Sequence, residues 1–264
     1  RHRHQWQTGA GLQVEWLTGD DARRLEPCVS ANVRCALRFP LDIQVENRRL
    51  VDALVRSNEE LGVQFVINTA VTALRIKDER VCGVETSNGF VATPIVVVAA
   101  GAWSSLIDSK GLSLPPIRVE PVRGQMLCFS ADPNIARHVI YSAHGYLVPR
   151  RDGRVLAGST AERVGFDKRV TDDGVSAIKA MALEIAPALA DLPIIDSWAG
   201  FRPRAPDDLP VLGPCAEIGG LLYATGHYRN GILLAPITGL VIADAIVDEA
   251  FPANLKAFSP NRFG

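Results

Sequence analysis

The chain of 264 residues has no apolar run long enough to cross a membrane, no C-x-x-C pair and almost no net charge. A bilayer core asks for about 20 consecutive apolar residues. The nearest approach, Ile232–Val247, is broken by Pro236, Gly239 and Asp244, so no integral membrane segment is expected. Lys plus Arg (28) nearly equals Asp plus Glu (29), for a formal charge of −1. Such a balance offers no cationic excess for nucleic-acid phosphates. Five cysteines (28, 35, 82, 128, 215) are odd in number and lack metal-ligand spacing. They read as reduced structural thiols, with no disulfide framework and no metal site. Arg1–His–Arg–His–Gln5 carries no apolar signal-peptide core, and the expectation is a cytoplasmic protein. There is no internal repeat and no low-complexity stretch.

What is present is an ordinary globular composition, 47% hydrophobic and 22% charged, in a chain long enough for a large core. Polar N-cap residues before Pro27 predict a short helix over 18–26, followed by a strand at Val33–Phe39. Leu50, Val51, Leu54, Val55 and Leu61 recur near a 3.6-residue period, predicting a helix from Asn47 to Leu61 ended by Gly62. Val63–Ile67 alternates like a strand. Val71–Ile76 and Val81–Glu85 read as a hairpin around Lys77–Arg80, and Ser87–Asn–Gly89 reads as a tight turn.

The run Pro94–Ile–Val–Val–Val–Ala–Ala–Gly101 has the branched apolar residues of a parallel strand buried on both faces. Short strands are expected at Gln125–Phe129, Tyr146–Pro149 and Arg154–Ala157, with a turn at Arg151–Asp–Gly153. A helix over 172–190, a strand at Leu221–Ala224 and a last helix from Leu233 to Val247 complete the pattern. The order implies an α/β (α+β mixed) fold, one half α/β and the other mainly β.

Two glycine-punctuated stretches hold a lone arginine among apolar residues: Trp198–Ala–Gly–Phe–Arg202–Pro and Gly226–His–Tyr–Arg229–Asn–Gly–Ile–Leu–Leu–Ala–Pro236. A guanidinium keeps its proton, so burial obliges it to meet an anion. The expectation is a pocket for carboxylates or a polarised cofactor.

With Val96–Val–Val–Ala–Ala–Gly–Ala–Trp–Ser104 and Pro121–Val–Arg–Gly–Gln–Met126, these stretches resemble the D-amino-acid oxidase superfamily of FAD-dependent oxidoreductases. Within it the sequence is most similar to glycine oxidases of the thiamine-biosynthesis type, from about Val14 to Phe258–Ser–Pro–Asn–Arg–Phe263. The family opens on a strand, G-x-G-x-x-G and a helix that hold a dinucleotide. Residues 1–45 contain no counterpart, Thr8–Gly–Ala–Gly11 lacking the strand and the third glycine. The resemblance therefore implies a truncated Rossmann-like FAD-binding domain, 44–116 and 206–264, interleaved with an antiparallel β-sheet substrate domain, 1–43 and 117–205.

The resemblance also implies roles. Arg202 would hold a substrate carboxylate, the other reading being an ion pair with Asp207 or Asp208; Trp198 and Phe201 suggest an apolar wall beside it. Tyr146 would lie near the substrate, and His144 would accompany it unless it is a surface residue. Gly226, His227, Asn230, Gly231, Ile232 and Leu233 would run beside the flavin, with Arg229 also near the substrate, the alternative being a plain turn before a helix. Ala100, Gly101 and Trp103 would line the cofactor, Trp103 being equally readable as a core aromatic, and Val71 would meet the adenine. Ala161 would leave room near the substrate.

FAD would be held non-covalently, since no cysteine matches the tethering one of sarcosine-oxidase relatives. The implied activity is oxidative deamination of glycine or another small amino acid or secondary amine, by hydride transfer from Cα to flavin N5 with oxygen as acceptor. A D-amino-acid dehydrogenase with a quinone acceptor is the alternative, as is a catalytically silent fragment or subunit. The partner is a small amino-acid substrate, and relatives suggest a homo-oligomer.

Overall fold

The computed structural model describes residues 1–107 and 117–263; the expected domain limit at 116 and the last residue, 264, lie outside them. The first elements are α1 (His2–Gly9), β1 (Glu15–Thr18), α2 (Gly19–Leu25), β2 (Cys35–Arg38) and α3 (Asn47–Glu60). Strands β3 (Val71–Lys77), β4 (Arg80–Thr86), β5 (Gly89–Ala92) and β6 (Val96–Val98) follow. Next come β7 (Glu120–Ser130), β8 (Ile140–Tyr141), β9 (Tyr146–Pro149), β10 (Arg154–Gly158) and α4 (Asp172–Ile185). The chain closes with β11 (Ile194–Arg204), β12 (Val211–Pro214), β13 (Leu221–Thr225) and α5 (Gly231–Val247). It divides into two compact units, one of 1–46, 124–162 and 168–200, the other of 47–123, 163–167 and 201–264.

The first unit is built on a sheet of order β11-β7-β10-β9-β8, in which β10 pairs antiparallel with β7 and β9, and β8 with β9. Ile178, Met181, Ala182 and Ile185 recur at i, i+3, i+4 and i+7, so α4 presents one buried stripe. That stripe joins Leu127, Phe129, Leu147, Val155 and Ala157 of the sheet in one core. Helix α4 starts at Thr171, whose hydroxyl accepts from Gly174 N–H. Gln125, 1% exposed, ties this cap to the sheet. Its carbonyl accepts from Thr171 N–H at 2.8 Å, and its amide donates to Glu162 and to Thr171 Oγ1. Helix α2 carries a reciprocal capping box between Thr18 and Asp21. Buried Glu26 accepts from the backbone N–H groups of Arg137 and His138 and from the His138 ring.

The second unit holds two three-stranded sheets. In one, β3, β4 and β5 form an antiparallel meander, with Asp78 and Glu79 both left-handed in the first turn. The other has the order β12-β13-β6: β13 is antiparallel to β12 and parallel to β6 in the register Leu221–Val96, Leu222–Val97, Tyr223–Val98. Leu74, Val81, Val98, Val119, Val211 and Leu221 belong to its core.

Four expectations need correction. Val63–Ile67 forms no strand; no described strand pairs with it, and Phe65, Val66 and Ile67 stay exposed. The 94–101 run is shorter as a strand, Val96–Val98, and has one neighbour among the described residues; only Val98 is buried, and Ile95 and Ala99 are exposed. The helix expected over 172–190 stops at Ile185, and Pro187 begins a separate 3₁₀ turn because its ring cannot continue the α-helix. The last helix starts two residues earlier than expected, at Gly231. Helix α1 and strand β11 have no counterpart in the periodicity of the sequence. Helix α3 forms where expected, yet none of its residues is buried.

No helix among the described residues is long and apolar enough to cross a membrane. No described group of His, Cys, Asp and Glu could hold a metal. All five cysteines are free thiols. Burial pushes the Cys28 and Cys215 thiols up to about 11, aided by Glu26 and Glu217 respectively. A thiol-exchange reagent at pH 8 should therefore modify exposed Cys35 quickly and leave Cys28 and Cys215 unmodified until the chain is denatured. Leu147→Ala, at a fully buried position, should cost about 2–5 kcal/mol in denaturant unfolding through the cavity it leaves.

Candidate active site

Strands β6 and β13 are parallel neighbours, so the loops that follow them leave the sheet at the same end. Open α/β sheets bind ligands at the carboxyl ends of such strands. After β6 come Ala100 and Gly101, the latter left-handed at φ 54°, then a 3₁₀ turn over Gly101–Leu106. After β13 comes Gly226 at φ 72°, where an added Cβ would lie 3.1 Å from Val211 Cγ2. Position 226 therefore takes glycine for both conformation and space.

The second loop is fastened to β11, the strand that carries Arg202. Tyr228 N–H donates to Pro203 O at 2.8 Å, and Arg204 and His227 form an antiparallel bridge. The two arginine-bearing stretches therefore meet within one unit, 27 residues apart in the chain. Arg202 is partly buried, as expected, whereas Arg229 is exposed, contrary to the expectation of burial. Loop residues 229 and 230 project where the chain turns into α5 and need no buried anion.

The aspartates expected as alternative partners of Arg202 are engaged by other arginines. Arg204 Nε lies 2.6 Å from Asp208, and Arg262 makes paired contacts to Asp207 at 2.7 and 3.0 Å. The Arg262 guanidinium holds the Asp207 carboxyl below its ordinary range. Phe201 does not wall Arg202: neighbouring residues of a strand point to opposite faces. It packs instead against Trp103 and Phe166, with ring centroids 5.8 and 5.7 Å away. Trp103 is 49% exposed, so the core-aromatic reading fails as well. Phe166 is held near by the Arg123–Asp167 ion pair at 3.3 Å, in which Arg123 is buried.

Asn230 precedes helix α5 at the N-cap, and its side chain makes no cap hydrogen bond. Its first-turn N–H groups have no intrahelical acceptor, and the helix dipole makes this end favourable to negative charge. Ile232 and Leu233 at its start are exposed. His227 is half-buried and its Nε2 lies 2.9 Å from Thr238 Oγ1, further along α5. Burial lowers the His227 pKa from its ordinary value, which keeps the ring neutral. Val71, at the start of β3, is exposed.

The remaining expected residues belong to the first unit. Tyr146 on β9 is half-buried; its hydroxyl points to Met126 Sδ at 3.5 Å and its ring lies 5.1 Å from Tyr141. His144 is exposed and pairs with Glu184 of α4 at 3.0 Å. Ala161 is exposed. Two polar side chains of the second unit, Ser104 and Thr225, had no assigned role. Both are buried, and their hydroxyl oxygens are 2.7 Å apart. Their signal in the sequence is a hydroxyl residue placed at or just beyond the end of an apolar strand, where a buried hydroxyl needs a partner.

Parallel strand ends with left-handed glycines, a helix start without a side-chain cap, and an arginine strand fastened beside them thus come together in the second unit. Residues 1–245 match the family described as FAD dependent oxidoreductase, and the chain belongs to that family. It is 38% identical over 255 residues to the bifunctional protein ThiO/ThiG of Synechocystis sp., covering 94% of this chain and 37% of that protein. It is 35% identical over 254 residues to the hydrogen cyanide synthase subunit HcnC of Pseudomonas aeruginosa, covering 95% and 60% respectively. The crystal structure of glycine oxidase from Geobacillus kaustophilus matches at 34% identity with a TM-score of 0.91, over 99% of this chain and 70% of that one. The chain thus spans less than two thirds of the length of the first two relatives.

His227 has a folded-state pKa below its unfolded value, so the unfolded chain binds the extra proton first. Its contribution to stability is complete above about pH 6.5 and is lost as pH falls through the lowered folded value. The melting temperature of the wild-type chain should therefore fall more between pH 7 and pH 5 than that of His227→Gln.

Proposed function

We propose that this chain serves FAD-dependent oxidation of glycine or another small amino acid or secondary amine, with oxygen as the electron acceptor. The observation that carries the reading is the joining of the Arg202 strand to the Gly226–Asn230 loop, at the end of the parallel β6–β13 pair. Similarity to a glycine oxidase at 34% identity supports the substrate class. The residues present fit FAD in one testable respect. The left-handed Gly101 and Gly226 and the start of α5 without a side-chain cap offer backbone to a flat, partly anionic group.

In this reading the residues 44–116 and 206–264 serve the cofactor, and 1–43 and 117–205 serve the substrate. Ala100, Gly101, Trp103, Gly226, His227, Asn230, Gly231, Ile232 and Leu233 face FAD, and Val71 lies on its adenine side. FAD, when bound without a covalent link, would supply the two-electron acceptor for the amine.

The protein's own contribution is positioning and electrostatics. Arg202 offers a fork of N–H donors to a carboxylate, a bidentate match that fixes the substrate Cα. A neutral His227 braces the loop against α5 without adding charge. The dipole at the start of α5 favours negative charge beside it. Arg229, on the loop fastened to the Arg202 strand, is a further substrate-side group in this reading. No side chain is required as a general base if the amine binds neutral. A quinone-linked dehydrogenase and a cofactor-free subunit are the competing readings.

The chain saturated with FAD should show flavin absorption that bleaches anaerobically on adding glycine or sarcosine. A protein that retains no flavin sinks the reading; bleaching without oxygen uptake moves it to the quinone-linked one. Arg202→Ala should lower kcat/KM by about 100-fold or more while leaving flavin absorption in place, because it removes charge-assisted hydrogen bonds to the carboxylate. Arg202→Lys should recover only part of the loss, since a point charge lacks the fork.

A further inference from the structure

The buried pair Ser104 and Thr225 has no part in the function proposed for this chain. Ser104 lies in the 3₁₀ turn that follows β6, and Thr225, 1% exposed, is the last residue of β13. Their hydroxyl oxygens are 2.7 Å apart, and both approach the carbonyl oxygen of Gly101, at 2.8 Å from Ser104 and 3.2 Å from Thr225. Two hydroxyl hydrogens serve these three contacts. The distances favour Ser104 donating to Gly101 O while Thr225 donates to Ser104 Oγ. The result is a directional tie across 121 residues of sequence. It joins the peptide of a left-handed glycine on one loop to the residue preceding Gly226 on the other.

Packing alone does not call for this chemistry. A valine fills nearly the volume of threonine, and an apolar pair would spare the desolvation of two hydroxyls. What hydroxyls add is a set angle and distance, and here they act on the Gly101 carbonyl, at the turn of one of the two loops. His227 on the second loop is anchored separately, through Thr238. The Ser104–Thr225 tie is thus a hydrogen-bonded link between the segments that follow β6 and end β13.

We infer that Ser104 and Thr225 are positioning residues for the cofactor, holding the Gly101 and Gly226 loops at the spacing that FAD requires. This rests on the proposed FAD reading. Either hydroxyl alone can still reach Gly101 O, so the two substitutions are coupled.

The test measures FAD dissociation constants by flavin fluorescence, with melting temperatures of the FAD-free protein, for the full chain and four variants. Thr225→Val and Ser104→Ala should each weaken FAD binding by up to about tenfold, the scale of one buried hydrogen bond. The double variant should lose more than the product of the two. Thr225→Ser, which keeps the hydroxyl, should bind like wild type, a rescue that loss of threonine packing would not give. A wild-type chain that binds no FAD overturns the parent reading and this inference with it. A wild-type chain that binds FAD, with a double variant within twofold of it, overturns this inference alone. So does a Thr225→Ser variant that binds FAD as weakly as Thr225→Val.

Discussion

The parallel register of β6 on β13 is the constraint on which the second unit depends. Parallel strands cannot be joined by a tight turn, and here more than a hundred residues separate them, including the whole β7–β10 part of the chain. The pairing starts where Val96 N–H donates to Gly220 O at 2.8 Å. It ends where Val98 and Tyr223 join the same core. Because the strands are parallel, the loops after them leave at one end. Antiparallel pairing would have sent Gly101 and Gly226 to opposite ends of the sheet, with no candidate site.

Charge is distributed around that site by local pairing. Arg204 and Arg262 engage the two neighbouring aspartates, and buried Arg123 pairs with half-buried Asp167. A guanidinium in a partly apolar setting needs such partners, because it cannot be neutralised by proton loss. The imidazole of His227 is kept neutral by burial instead. The polar side chains of the first unit follow the same rule. Gln125 satisfies both ends of its amide against Thr171 and Glu162, and Glu26 receives backbone and imidazole donors. The hydrophobic demand is met unevenly. The stripe of α4 is buried, while α3 buries no residue and α5 leaves Ile232, Leu233, Ile237 and Leu240 exposed.

Structure is legible in the sequence wherever its cause is local. The helix after Thr18, the helix from Asn47, the hairpin around Lys77–Arg80 and the strands around Gly153 all follow from caps, periods and turn residues a few positions apart. Val63–Ile67 misleads because alternation describes half a strand and the other half is a partner's hydrogen bonds. The arginine motifs are visible as motifs. Which aspartate each arginine meets is not, since Asp207 is engaged by Arg262, 55 residues away.

By itself, then, the sequence determined the family, the mixed α/β class and the stretches that carry Arg202 and Gly226. Those properties reside in residue identity and short spacing. Tertiary structure alone decided that Phe201 turns away from Arg202 toward Trp103 and Phe166, that Arg229 is exposed, and that Ser104 meets Thr225. Each depends on strand register and on contacts between segments far apart in the chain, and neither periodicity nor composition encodes which distant segment a strand will meet.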